Sequence, residues 1–136
     1  MIAGGNPTTV VPMIVEFLVN LMLYQPELTR LLSFGVLELE SGAETVCRTH
    51  VTPLFQEIQT YLLRSIAKRE IAEVDAGLAA VAIVASVLAH HQAYELVAGS
   101  RLQSATPDQI VNLYTKFWLS ALRPIGTQFM QFSTAQ

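Results

Sequence analysis

Apolar residues recur along this chain at the three- and four-residue spacing of helices, and almost no stretch shows the alternation of a half-buried strand. Turn signals divide it into five helical stretches. The first, from about Thr9 to Tyr24, is apolar on nearly every side except at Glu16 and Asn20, which predicts a central, largely enclosed helix. "YQPELTRLL" then restarts the chain: Pro26 suits a first helical turn, Glu27 the positive end, and Leu28, Leu32, Val36 and Leu39 follow at helical spacing. "ESGAE" at 40–44 breaks that helix. A third, from about Glu44 to Lys68, turns Cys47, Val51, Leu54, Ile58, Leu62 and Ser65 inward. Pro53 interrupts it, because an interior proline lacks the N–H that the helix needs. A kink is expected there, the alternative being a restart with Thr52 as N-cap.

Asp75 can cap a fourth helix that runs to about Ala98, where Gly99 supplies a stop. The fifth opens with "ATPDQI", in which Thr106, Pro107 and Gln109 spell a capping box. Arg123-Pro124 and Gly126 end it, and residues 124–136 are expected to fray in part.

The fourth helix carries no Asp, Glu, Lys or Arg between Asp75 and Glu95. Turned at about 100° per residue, it is two-faced: Ala82, Ala85, Ser86, Ala89 and Ala93 lie together, and Ile83, Val87, His90 and Tyr94 share another side. Lipid requires no such segregation, and His90, His91 and Gln92 arrive too early for a span of about 20 apolar residues. No membrane partner is expected. Small side chains do allow another helix to approach closely. On the fifth helix Ile110, Leu113, Tyr114, Phe117 and Ala121 form one stripe, and Val111, Trp118 and Leu122 form its neighbour. Together they exceed the roughly 100° that one core contact needs, so two neighbours are implied. A second chain is the economical source: two helices from each subunit make a four-helix interface. The expected pairing surface is Ala82, Ala85, Ser86, Ala89, Ala93, Val111, Tyr114, Trp118 and Leu122. A compact monomer of five helices that buries all of these faces is the competing arrangement.

Composition sharpens this picture. The 136 residues fit one all-α domain, 1–136, and only 14% are charged against about 25% in ordinary soluble chains. That deficit asks for extra surface to be hidden. The formal charge is −3 and the eight Lys and Arg are scattered, so no basic face is available for duplex phosphates. Arg64, Lys68 and Arg69 do cluster, at a helix C-terminus whose negative end they complement. Cys47 is the only cysteine and the N-terminus has no basic region before its apolar run, so a cytoplasmic setting without signal peptide is expected.

Chemistry for catalysis is not apparent. Cys47 and His50 are three apart on a helix, yet Cys47 falls in mid-stripe, where a thiol is usually inert packing. His90 and His91 diverge by about 100° and cannot readily grip one metal. No phosphate loop, catalytic carboxylate pair or Ser/His/Asp arrangement stands out. Neither an enzyme, a metal nor a cofactor is expected.

The run "EFLVNLMLYQPELTRLL", the long helix with a mid-proline, the Asp-capped alanine-rich helix and the aromatic last helix together resemble the C-terminal regulatory domain of TetR-family transcriptional regulators. The likeness covers nearly the whole chain, and "YQPELTRLL" is its most specific element. It implies an all-α bundle that dimerises through its last two long helices and binds a small hydrophobic effector, which in a repressor sets the spacing of two DNA-reading heads. The family's N-terminal helix-turn-helix has no counterpart before Thr9, so DNA binding is expected only through a domain not present in this chain. The alternative is a stand-alone helical ligand carrier or interaction protein. In such a bundle the cavity lies between the first, third and fourth helices. Phe17, Leu21, His50, Tyr61, His90 and Tyr94 are the ligand-binding candidates that this implies.

Overall fold

The computed structural model describes residues 4–25, 27, 45, 47–98 and 105–125, with the backbone alone for Cys47, His50 and residues 91–98. Among these are four α-helices, one π-helical turn and no strand: α1 (Pro7–Tyr24), the π-turn (Cys47–Val51), α2 (Thr52–Ala67), α3 (Ala76–Ala98) and α4 (Pro107–Ala121). The helix expected after Pro26, the stop at Gly99 and the tail from 126 onward lie outside the described residues.

Each helix end follows from local chemistry. Asn6 starts α1, its side-chain oxygen accepting from the Thr8 N–H at 3.1 Å, and Pro7 takes the first helical position, where a missing N–H costs nothing. The helix thus begins two residues before the expected Thr9. At Pro53 the outcome is a change of helix type: the π-turn hands over to α2 at Thr52, with proline in the first turn and no side-chain cap. Thr52 is the first residue inside the helix, and Val51 holds the N-cap position. At its other end α2 closes in a Schellman motif, Arg69 N–H donating to the Ile66 carbonyl and Glu70 N–H to that of Ser65, both at 2.9 Å. Arg69 occupies the left-handed region, with φ at 60°.

Asp75 caps α3 as expected, its carboxylate accepting from Leu78 N–H at 2.9 Å. A side chain at Gly77 would come within 3.3 Å of that carboxylate and 3.4 Å of the Gln59 amide, so the glycine lets α3 start close to α2. The capping box of α4 forms in full: Thr106 accepts from Gln109 N–H at 3.3 Å, and Gln109 accepts from Thr106 N–H at 2.9 Å.

Packing sorts the apolar residues. The core gathers Val15, Leu18 and Val19 from α1, Ile58 and Leu62 from α2, Ile83 and Val87 from α3, and Ile110, Trp118 and Leu122 from α4. Each of these large side chains is worth about 1.5–3 kcal/mol on burial. The inward stripe of α2 runs through Ile58, Tyr61, Leu62 and Ser65, with Val51 and Leu54 half-buried. Helix α1 packs against both α3 and α4, so it is central in position. It is not enclosed on most sides, however, since Met13, Phe17 and Tyr24 stay exposed on its outer face. With 18 residues and a mean hydropathy of 1.5, α1 also has the length and apolarity of a membrane span, a property that core helices share.

Candidate functional site

The most distinctive surface is built where α3 and α4 meet. Trp118 is nearly buried, and a buried indole N–H needs an acceptor. It finds one across the seam, donating from Nε1 to Ser86 Oγ at 3.1 Å. Ser86 in turn donates to the Ile83 carbonyl at 2.9 Å, so its hydroxyl is used twice. One turn further along α3, His90 Nδ1 and the Tyr114 hydroxyl are 2.8 Å apart, and the two rings stand edge to face with centroids 5.4 Å apart. Burial raises the Tyr114 hydroxyl above its ordinary 10.0. The pairs 86 with 118 and 90 with 114 run in opposite directions, so α3 and α4 lie antiparallel.

Outside these two rungs the helices turn apolar surface to solvent. On α3, Leu78 is 71% exposed and Val81 51%, and Ala82, Ala85 and Ala89 are exposed beside them. On α4, Leu113 is 59% and Phe117 58% exposed, with Ala121 at the same edge. By helical register Ala82 and Ala89 flank Ser86, and Leu113, Phe117 and Ala121 flank Tyr114, which joins the two strips into one surface. No charged residue interrupts the α3 strip, which combines a shallow alanine groove with neighbouring bulky side chains.

Of the residues expected at a pairing surface, Ala82, Ala85 and Ala89 are exposed and Ser86 is half-buried in the seam. Trp118 and Leu122 are buried within the chain, and Val111 and Tyr114 are half-buried. The side chain of Ala93 lies outside the described residues. Of the stripe expected to hold Ile110, Leu113, Tyr114, Phe117 and Ala121, Ile110 is buried, whereas Leu113 and Phe117 carry the outward bulk of α4. Their exposure depends on where α1 sits, which periodicity does not reveal.

Of the residues expected to line a ligand cavity, four have described side chains. Tyr61 is buried, and its hydroxyl donates to the Gly5 carbonyl at 3.2 Å, just ahead of α1. Burial raises its pKa above 10.0, the Glu70 carboxylate adds to the rise and a hydrogen bond with Ser65 opposes it. Phe17 is exposed, Leu21 is half-buried, and His90 belongs to the α3–α4 seam. The side chains of His50 and Tyr94 lie outside the described residues.

The sequence matches no protein-family model, and no curated protein or solved structure shows significant similarity to it.

Among the grooves of the described surface are two between α1 and α4. One, of about 350 Å³, runs beside α1 and the start of α4, with Glu16, Asn20, Asp108 and Asn112 on its walls. The other, of about 430 Å³, lies where the first turn of α1 meets the end of α4, and Glu70, Ile71 and Arg123 are among its walls. Glu70 and Arg123 took no part in the expected site, since charged residues at helix ends are ordinarily solvated. Among the described residues, no three His, Cys, Asp or Glu side chains converge as metal ligands.

Proposed function

We propose that this chain is a ligand-responsive regulatory domain that pairs with a second copy of itself through the outer face of α3 and α4, as the resemblance to TetR-family regulatory domains implies. The observation that supports the reading best is the uncharged α3 strip of Leu78, Val81, Ala82, Ala85 and Ala89 beside the protruding Leu113 and Phe117. Patches of this kind are a liability on a monomer. A twofold axis would set the bulky α4 ridge of one copy into the alanine groove of the other, giving a four-helix interface with a self-complementary surface. The effector is a small, largely apolar molecule. In this reading DNA contact belongs to a domain outside the chain, and the setting is cytoplasmic.

Light scattering at tens of micromolar tests the pairing. The expected mass is that of a dimer, and the thermal midpoint rises with concentration as mass action requires. Ala85→Arg and Phe117→Arg place charge on the exposed face and should each give a helical monomer; Ala85→Arg leaves the core untouched, and Phe117→Arg removes one edge-to-face contact with the Trp118 ring, 5.3 Å between centroids. A monomeric parent chain, or dimers that persist in both variants, would refute the assignment.

A further inference from the structure

The larger groove combines features of a recognition site that the pairing face lacks. Its floor is apolar: Ile71 and Leu122 are buried beneath it and Leu119 is half-buried. Its walls belong to different segments, fastened by the Ala72 N–H donating to the Leu122 carbonyl at 2.8 Å. Glu70 lies on one segment and Arg123 on the other, both exposed, and no ion pair joins them to each other or to another described residue. The first turn of α1 adds no free backbone donor from Thr8, Thr9 or Val10, because the Asn6 side chain and carbonyl take up all three N–H groups. Charge recognition therefore rests on Arg123 and Glu70. Its volume of about 430 Å³ is within the range of small-molecule sites.

We propose that this groove binds a small zwitterion with an apolar side chain, a free amino acid of the branched aliphatic kind. The Arg123 guanidinium matches a carboxylate in two parallel hydrogen bonds, the Glu70 carboxylate receives the ammonium group, and the side chain lies over Ile71, Leu119 and Leu122. The proposal rests on the reading of the domain as a ligand sensor and names the ligand class. It does not depend on pairing, since Leu119 points to a different side of α4 from Leu113 and Phe117, and Arg123 follows the end of the helix. Two solvent-exposed ion pairs and one partly covered side chain give weak affinity, a Kd of about a millimolar.

The test is an amide-resolved NMR titration of the whole chain with leucine, alongside isovalerate, which lacks the ammonium group, and isopentylamine, which lacks the carboxylate. Leucine is expected to shift the amides of Ile71, Ala72, Leu122 and Arg123 saturably, and each singly charged probe to bind about threefold to fivefold more weakly. Arg123→Gln and Glu70→Gln should each weaken leucine by the same factor, and circular dichroism should confirm unchanged helicity. No saturable shift up to about 20 mM, shifts centred elsewhere, or unaltered affinity in both variants would overturn the assignment. A dimer that ignores leucine removes the ligand and leaves the pairing standing. A monomer that binds leucine does the reverse.

Discussion

Arg69 holds a conformation that suits glycine. At φ 60° its Cβ crowds the following carbonyl, a cost of about 1–2 kcal/mol that the Schellman bonds of Glu70 and Arg69 offset. Arg69→Gly removes the crowding and restores backbone freedom to the unfolded chain, and these act in opposite directions. A net gain of about 0.5–1 kcal/mol is expected, measured as a higher urea midpoint at unchanged slope. A lower midpoint would mean that the arginine side chain contributes more than the strain costs. The same scale shows what is legible in a sequence and what is not. Thr106 with Gln109, and Asp75, could be read directly as caps because their partners are three residues away. Asn6-Pro7 carried the same kind of signal and marks a helix start two residues earlier than the apolar pattern indicates. Tyr61 reads as an aromatic wall, whereas its hydroxyl is committed to Gly5, 56 residues away, and no local pattern encodes that distance.

Between elements, the seam of α3 and α4 depends on a few polar atoms set in apolar surroundings. Ser86→Ala leaves the Trp118 indole N–H partly buried without its acceptor, at a cost of about 1–3 kcal/mol. The loss should appear as a lower unfolding midpoint and altered Trp118 fluorescence, Trp118 being the only tryptophan. Trp118→Phe in the same background should recover part of the loss, because it removes the stranded donor. Full additivity of the two substitutions would show that the hydrogen bond carries no coupling. Helix existence and period were legible here, since four of the five expected stretches coincide with described helices and the one after Pro26 lies, but for Glu27, outside the described residues. Which apolar stripe faces inward was not. Val111 with Trp118 and Leu113 with Phe117 are equally apolar on the wheel, and the position of α1 alone separates them.

Across the whole molecule, stability should depend on pH in the alkaline range. Tyr61 and Tyr114 both have hydroxyl pKa values raised above 10.0, with burial the largest cause. A group whose folded pKa is raised gives stability that is complete below its unfolded value and is lost as pH rises through the folded one. The thermal midpoint should therefore fall as pH rises from about 10, and Tyr61→Phe with Tyr114→Phe should flatten that fall. An equal fall in the double variant would place its cause elsewhere. The all-helical architecture was legible from period and caps. The candidate site was not, because the groove arises where helix ends meet, and Glu70 and Arg123 come to line it together through a fold that sets Ala72 against Leu122.

The antiparallel rungs have a mechanical consequence. Each step of four along α3, from Ser86 to His90, is answered by a step of four back along α4, from Trp118 to Tyr114. Sliding either helix by one turn would break both rungs at once, setting Ser86 against Leu122 in one direction and Trp118 against Ala82 in the other. The seam thus behaves as a latch with a single detent. Helix α1, packed against both α3 and α4, supports the pair from the other side.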